Sequence, residues 1–66
     1  MTYKGDLEGK NGYLVRVWSS TSGAYKIEYS NDGFKTKWTR SYNSKYDFLK
    51  AMELRFLPEE LKEVLS

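Results

Sequence analysis

The 66-residue sequence has no cysteine, no histidine and a single proline. Without cysteine, no disulfide holds the fold and no thiolate binds metal. Without histidine, the side chain most used for acid–base catalysis, and a principal zinc ligand, is missing. No Gly-x-Ser-x-Gly elbow occurs to present a serine nucleophile. Asp6, Glu8 and Asp32 do not follow the spacing of a calcium loop. The glycine-rich stretch from Gly5 to Gly12 does not match the phosphate-loop pattern, so it reads as a flexible entry to the first strand. This inventory predicts a protein that is not an enzyme, with no catalytic residues, no metal and no cofactor. No run approaches the roughly 18 apolar residues of a membrane span. The first residues contain no apolar signal segment, so the expected location is intracellular, in the cytoplasm, with no membrane partner.

What the sequence does have is aromatic side chains: six Tyr, three Phe and two Trp. A chain this short buries only about 60 % of its unfolded surface, so large side chains must supply the core. The expected organisation is one small domain over 1–66. Residues 1–12 are a loop or short edge strand, with Thr2-Tyr3-Lys4 the strand candidate. Residues 13–42 form three strands, 44–56 a helix and 58–65 a second, short helix.

The three strands are Tyr13–Trp18, Tyr25–Ser30 and Phe34–Tyr42, all rich in aromatic and β-branched residues. The second and third alternate apolar and polar side chains, the period of a strand with one wet face. Asp32-Gly33 is a two-residue hairpin signal, because a type I′ turn needs positive φ at both central positions. That turn places Tyr29 opposite Thr36, Glu28 opposite Lys37 and Ile27 opposite Trp38. The register keeps the apolar residues of both strands on one face. The expected inner face holds Tyr13, Val15, Val17, Tyr25, Ile27, Tyr29, Phe34, Thr36 and Trp38. The outer face holds Leu14, Arg16, Trp18, Lys26, Glu28, Lys35, Lys37 and Thr39. If Val17 pairs with Ile27, then Arg16, Glu28 and Lys37 form a cross-strand charge ladder.

Ser44 fits a helix N-cap, with Asp47 at the third helical position. Phe48, Leu49, Met52 and Phe56 follow at helical spacing and predict a face that lies on the sheet. Pro58 interrupts this helix and suits the first position of the next, with Glu59 and Glu60 in its first turn. Leu57, Leu61, Val64 and Leu65 make one apolar stripe. The fold class is therefore α+β, a three-stranded antiparallel meander with one face covered by a C-terminal helix, followed by a short helix after Pro58.

The net charge of +2 is too small by itself to name a partner. Its distribution is more telling, since residues 10–42 carry a surplus of Lys and Arg and residues 43–66 do not. The first expectation is nucleic-acid binding, DNA ahead of RNA, through Arg16, Trp18, Lys26, Lys35, Lys37 and Arg40. Cations neutralise phosphates and an exposed indole stacks on a base. The layout is similar to small three-strand-plus-helix DNA readers, among them the arm-binding domains of some tyrosine recombinases, a likeness of topology alone. The second expectation is a protein-interaction module, an inhibitor, adaptor or homodimer, built on Leu14, Trp18, Leu57, Leu61, Val64 and Leu65.

Overall fold

Val17 sits opposite Ile27 and Arg16 opposite Glu28 in the first expected hairpin, which pairs β2 (Leu14–Ser19) with β3 (Tyr25–Ser30). The computed structural model describes residues 1–65. Two further strands complete an antiparallel sheet of order β1-β2-β3-β4, with β1 at Thr2–Glu8 and β4 at Trp38–Tyr42. The α+β class is as expected, but the sheet has four strands rather than three.

The extra strand is β1, which reaches Glu8 where the glycines suggested a loop. Its pairing with β2 shifts between Tyr3 and Gly5, so Lys4 is an extra residue in the ladder. Such a bulge breaks the alternation that marks a strand in a sequence. Gly5 makes the bulge possible, with φ +132, a backbone angle that residues with a side chain rarely adopt. A side chain there strains the backbone. Gly5→Ala is expected to lower stability by about 1–3 kcal/mol, read as a lower urea midpoint. An unchanged midpoint would mean that Gly5 carries no such strain.

The β3–β4 connection is also different from expectation. Tyr29 faces Trp38, Glu28 faces Thr39 and Ile27 faces Arg40. The register is two residues away from that of a tight Asp32-Gly33 turn. A two-residue slip preserves which face each side chain takes. The loop is longer because Ser30 and Asp32 organise it from inside. Ser30 Oγ accepts from the amides of Asp32 (3.2 Å) and Phe34 (3.1 Å) and donates to Asp32 Oδ1 (2.6 Å). The Asp32 carboxylate in turn accepts from the Thr36 amide at 3.0 Å. Phe34 takes a left-handed φ of 67, unusual for a side chain of its size. It leaves the inner face, and its ring lies under the Arg16 guanidinium at 4.2 Å, on the outer face. Thr36 likewise belongs to the loop.

The hydrogen bonds from Ser30 and the Thr36 amide hold the Asp32 carboxyl below its usual range. A depressed folded-state pKa means the carboxylate's contribution is complete above the ordinary aspartate value, about 3.9, and fades as pH falls through the lower folded value. In an NMR titration the Thr36 amide is expected to shift with a midpoint below that ordinary value. Asp32→Asn abolishes the transition. A midpoint at the ordinary value would remove this account of the loop.

Ser44 caps α1 (Lys45–Met52), its Oγ accepting from the Asp47 amide at 3.2 Å. The helix stops at Met52, one turn short of the expected end. Tight turns carry the chain on, with the Arg55 and Phe56 amides both bonding to the Met52 carbonyl at 3.0 Å. Pro58 opens α2 (Pro58–Leu65), and Glu60 Oε1 reaches back to the Leu57 amide at 2.9 Å. That makes Leu57 the exposed cap of α2 rather than part of its apolar stripe.

Both helices lie on the inner face, α1 beside β4 and α2 beside β1. The core holds Leu7, Val15, Val17, Tyr25, Ile27, Phe48, Met52, Phe56, Leu61 and Val64. Burial of Leu61 and Val64 means that α2 covers its own sheet, so they are not available to a partner. Leu65 is half-buried against the same core. No helix among the described residues is long and apolar enough to cross a membrane.

Candidate nucleic-acid interface

Alternation along the strands sends Arg16, Trp18, Lys26 and Glu28 to the face away from the helices, with Lys37 reaching Glu28 from the loop end. Each cation already has a partner. Lys37 Nζ lies 2.8 Å from Glu28 Oε2, and this bond holds the Glu28 carboxyl below its usual range. The ion pair survives the two-residue slip because lysine reaches across it. Arg16 Nε is 3.9 Å from Asp6 Oδ1, and Lys26 Nζ is 4.9 Å from the centre of the Trp18 ring.

β1 changes the charge of this face. It pairs Asp6 with Arg16 and Glu8 with Leu14, so both acids share the outer surface with the cations. Asp6 also accepts from the Tyr3 hydroxyl, which raises the Tyr3 pKa. Tyr3 sits 5.6 Å from Trp18. Leu14 and Trp18 are therefore half-buried rather than open. The expected basic outer face is close to electrically balanced, because Asp6, Glu8 and Glu28 offset Arg16, Lys26 and Lys37.

Arg40 is not with these groups. It lies opposite Ile27 and so belongs to the helix-facing side, on a strand whose residues are mostly exposed. Hydrogen bonding to the Tyr29 hydroxyl raises its pKa further above the ordinary value. Lys35 is exposed in the loop beside it. Neither forms an ion pair among the described residues.

Charge separates by sheet edge instead of by sheet face. The β4 side, with its loop and α1, carries Lys35, Lys37, Arg40, Lys45 and Lys50 against Asp32 and Asp47. The β1 side, with α2, carries Asp6, Glu8, Glu59, Glu60 and Glu63 against Lys4 and Lys62. The basic edge also shows a half-exposed indole, Trp38, at 47 % of its accessible surface.

Trp38 ends a row of rings across the inner face. Its ring stacks on Tyr29 at 5.7 Å, Tyr29 lies 6.1 Å from Tyr13, and Tyr13 lies 6.4 Å from buried Phe56. The Arg55 guanidinium sits 5.1 Å above Tyr13, whose pKa burial raises. Sequence reading placed Tyr13, Tyr29 and Trp38 inside. They are on that face, but α1 packs on Tyr25 and Tyr42 and leaves this corner uncovered. The helix α1 ends at Met52, and no residue type announces that end clearly. No protein-family model matches the chain, and neither the curated proteins nor the solved structures contain a significant match to it.

Proposed function

We propose that this chain is a small, non-enzymatic nucleic-acid-binding protein that engages its ligand along the basic β4 edge. The supporting observation is the separation of charge across the sheet. Lys35, Lys37, Arg40, Lys45 and Lys50 belong to β4, its loop and α1, and Asp6, Glu8, Glu59, Glu60 and Glu63 belong to β1 and α2. A polyanion is drawn to the first edge and repelled from the second, which orients the encounter. Of the cations expected from the sequence, Lys35 and Arg40 remain in the site, while Lys37 is held by Glu28 at the end of the outer face. Arg16 and Lys26 are engaged on the balanced outer face.

The test is fluorescence anisotropy with labelled generic DNA at two salt concentrations. Phosphate neutralisation releases counterions, so affinity falls steeply with salt. Binding that ignores salt, or no binding at low salt, contradicts the proposal.

A second reading rests on Leu54 and Leu57, which are 85 % and 62 % exposed beside an open cleft between the 3-10 turn Lys10–Gly12 and the inter-helix turn. These leucines, rather than the α2 stripe, would anchor a protein partner or a second copy. Salt-insensitive self-association in sedimentation favours this reading over the first.

A further inference from the structure

The aromatic row supports a sharper statement about the ligand, one that rests on the proposed function. We infer that the uncovered corner of the helix-facing side is a stacking platform for unpaired bases, so that the ligand is single-stranded. Trp38 supplies the platform's exposed end. Tyr29 backs it at 5.7 Å with 25° between the rings, so the indole is held in place before any ligand arrives. Tyr13 and Phe56 continue the support into the core. A ring that is packed behind and open in front loses little freedom when a base stacks on it.

Cations lie where the backbone of such a strand must pass. Arg40 is two residues along β4 from Trp38 and shares its face. Lys35 and Lys37 come just before it in the chain. The neighbouring cleft, at the far end of the row near Tyr13 and Phe56, sets Glu8, Glu53 and Glu60 against Lys10 and Arg55 and so carries a small acidic excess. A strand therefore follows β4 over Trp38 and does not enter the cleft.

Strandedness follows from what a flat ring can reach. Bases in a duplex are stacked on each other and offer no open face, whereas an unpaired base does. The platform presents no protruding helix or ribbon to fill a major groove. Stacking is also tolerant of base identity, which suits a site with cations and rings but few amide side chains.

The experiment uses the full chain with labelled oligothymidine of about 20 nucleotides, longer than one small domain covers, and a duplex of equal length. Single strands are expected to bind at least about tenfold tighter than duplex, since only they can use the stacking site. Trp38→Ala is expected to weaken single-strand binding by about 10–100-fold and to leave duplex binding unchanged. Trp38→Phe restores most of the loss. In a Trp18→Phe background the remaining indole emission is quenched by oligothymidine. Circular dichroism and a urea midpoint for each variant exclude unfolding as the cause. Equal affinity for both forms overturns the inference, as does a folded Trp38→Ala variant with unchanged single-strand affinity. Binding that is salt-sensitive and weakened by loss of Lys35 and Arg40, yet indifferent to strandedness, leaves the proposed function standing without it. Absence of binding to both forms removes both.

Discussion

Phe48→Ala is expected to lower the unfolding free energy by about 3–5 kcal/mol, the range for removing a buried phenyl ring. Phe48 is fully buried, stacks on Tyr25 at 4.5 Å and meets the edge of Tyr42 at 6.0 Å. Those two tyrosines come from opposite strands, β3 and β4, so one ring ties α1 to both. The hole left by alanine would be lined by aromatic rings, which cannot collapse into it as flexible side chains do. The loss is large against the whole. At roughly 0.05–0.15 kcal/mol per residue, a chain of this length holds only about 3–10 kcal/mol in total. Urea titration followed by circular dichroism measures it. Tyr46, exposed on the same helix, is the control, and Tyr46→Ala should stay within about 0.5 kcal/mol. A cost for Phe48→Ala close to that of the control would mean that α1 does not dock as described.

Reversing charge at Lys35 and Arg40 together is expected to weaken nucleic-acid binding on the order of 100-fold at low salt. Each lost phosphate contact also reduces the salt slope by about one, so the slope should fall by about two. Both side chains are exposed, and Arg40 meets the core only through its bond to the Tyr29 hydroxyl, so Lys35→Glu with Arg40→Glu should still fold, which circular dichroism checks. Lys37 is a poorer choice because its loss also strands Glu28, to which it is bonded. Lys62→Glu, on the acidic α2 side, makes the same change in net charge as either reversal alone, at the wrong edge. If Lys62→Glu weakens binding as much, net charge rather than placement governs it and the edge is not the site.

Much of the fold was legible because its signals were local. Ser44 as a cap and Pro58 as the start of α2 are read from single residues and their neighbours. Alternation permits the pairing of Val17 with Ile27 without fixing it, and the structure has that pairing. The inner faces of β2 and β3 survived the error in the second hairpin, since a slip of two residues changes partners without turning a side chain over. What could not be read depended on tertiary contact. Lys4 breaks the alternation of β1 by occupying a bulge, so Asp6 and Glu8 read as loop residues in the sequence, whereas they add their charge to the outer face. Asp32 beside Gly33 signals a tight turn, whereas its carboxylate serves as an acceptor for an amide four residues on. Strand alternation and a tight Asp32-Gly33 turn put Phe34 inside, but the residue lies in the longer loop, and cation–π contact with Arg16 holds it outside. Leu57 continues a helical spacing although it is itself the cap.

The site suffered from the same gap. Face assignment identified Trp38 as inward-pointing, and it is. Whether an inward residue is covered depends on how far a helix extends, and α1 ends at Met52. Only placement of the helices distinguishes the sealed rings of Tyr25 and Phe48 from the open one of Trp38.

The Lys4 bulge has one more effect, on solubility. An open sheet has two margins, and either can recruit the same margin of another molecule. The kink in β1 spoils one of them. At the other, antiparallel self-pairing of Trp38–Tyr42 about its midpoint would set Arg40 directly against Arg40 of the second copy, and like charges directly opposed are unfavourable. Neither border of this sheet is therefore an easy template for stacking molecules into fibres, even though the chain is short, aromatic and without disulfides.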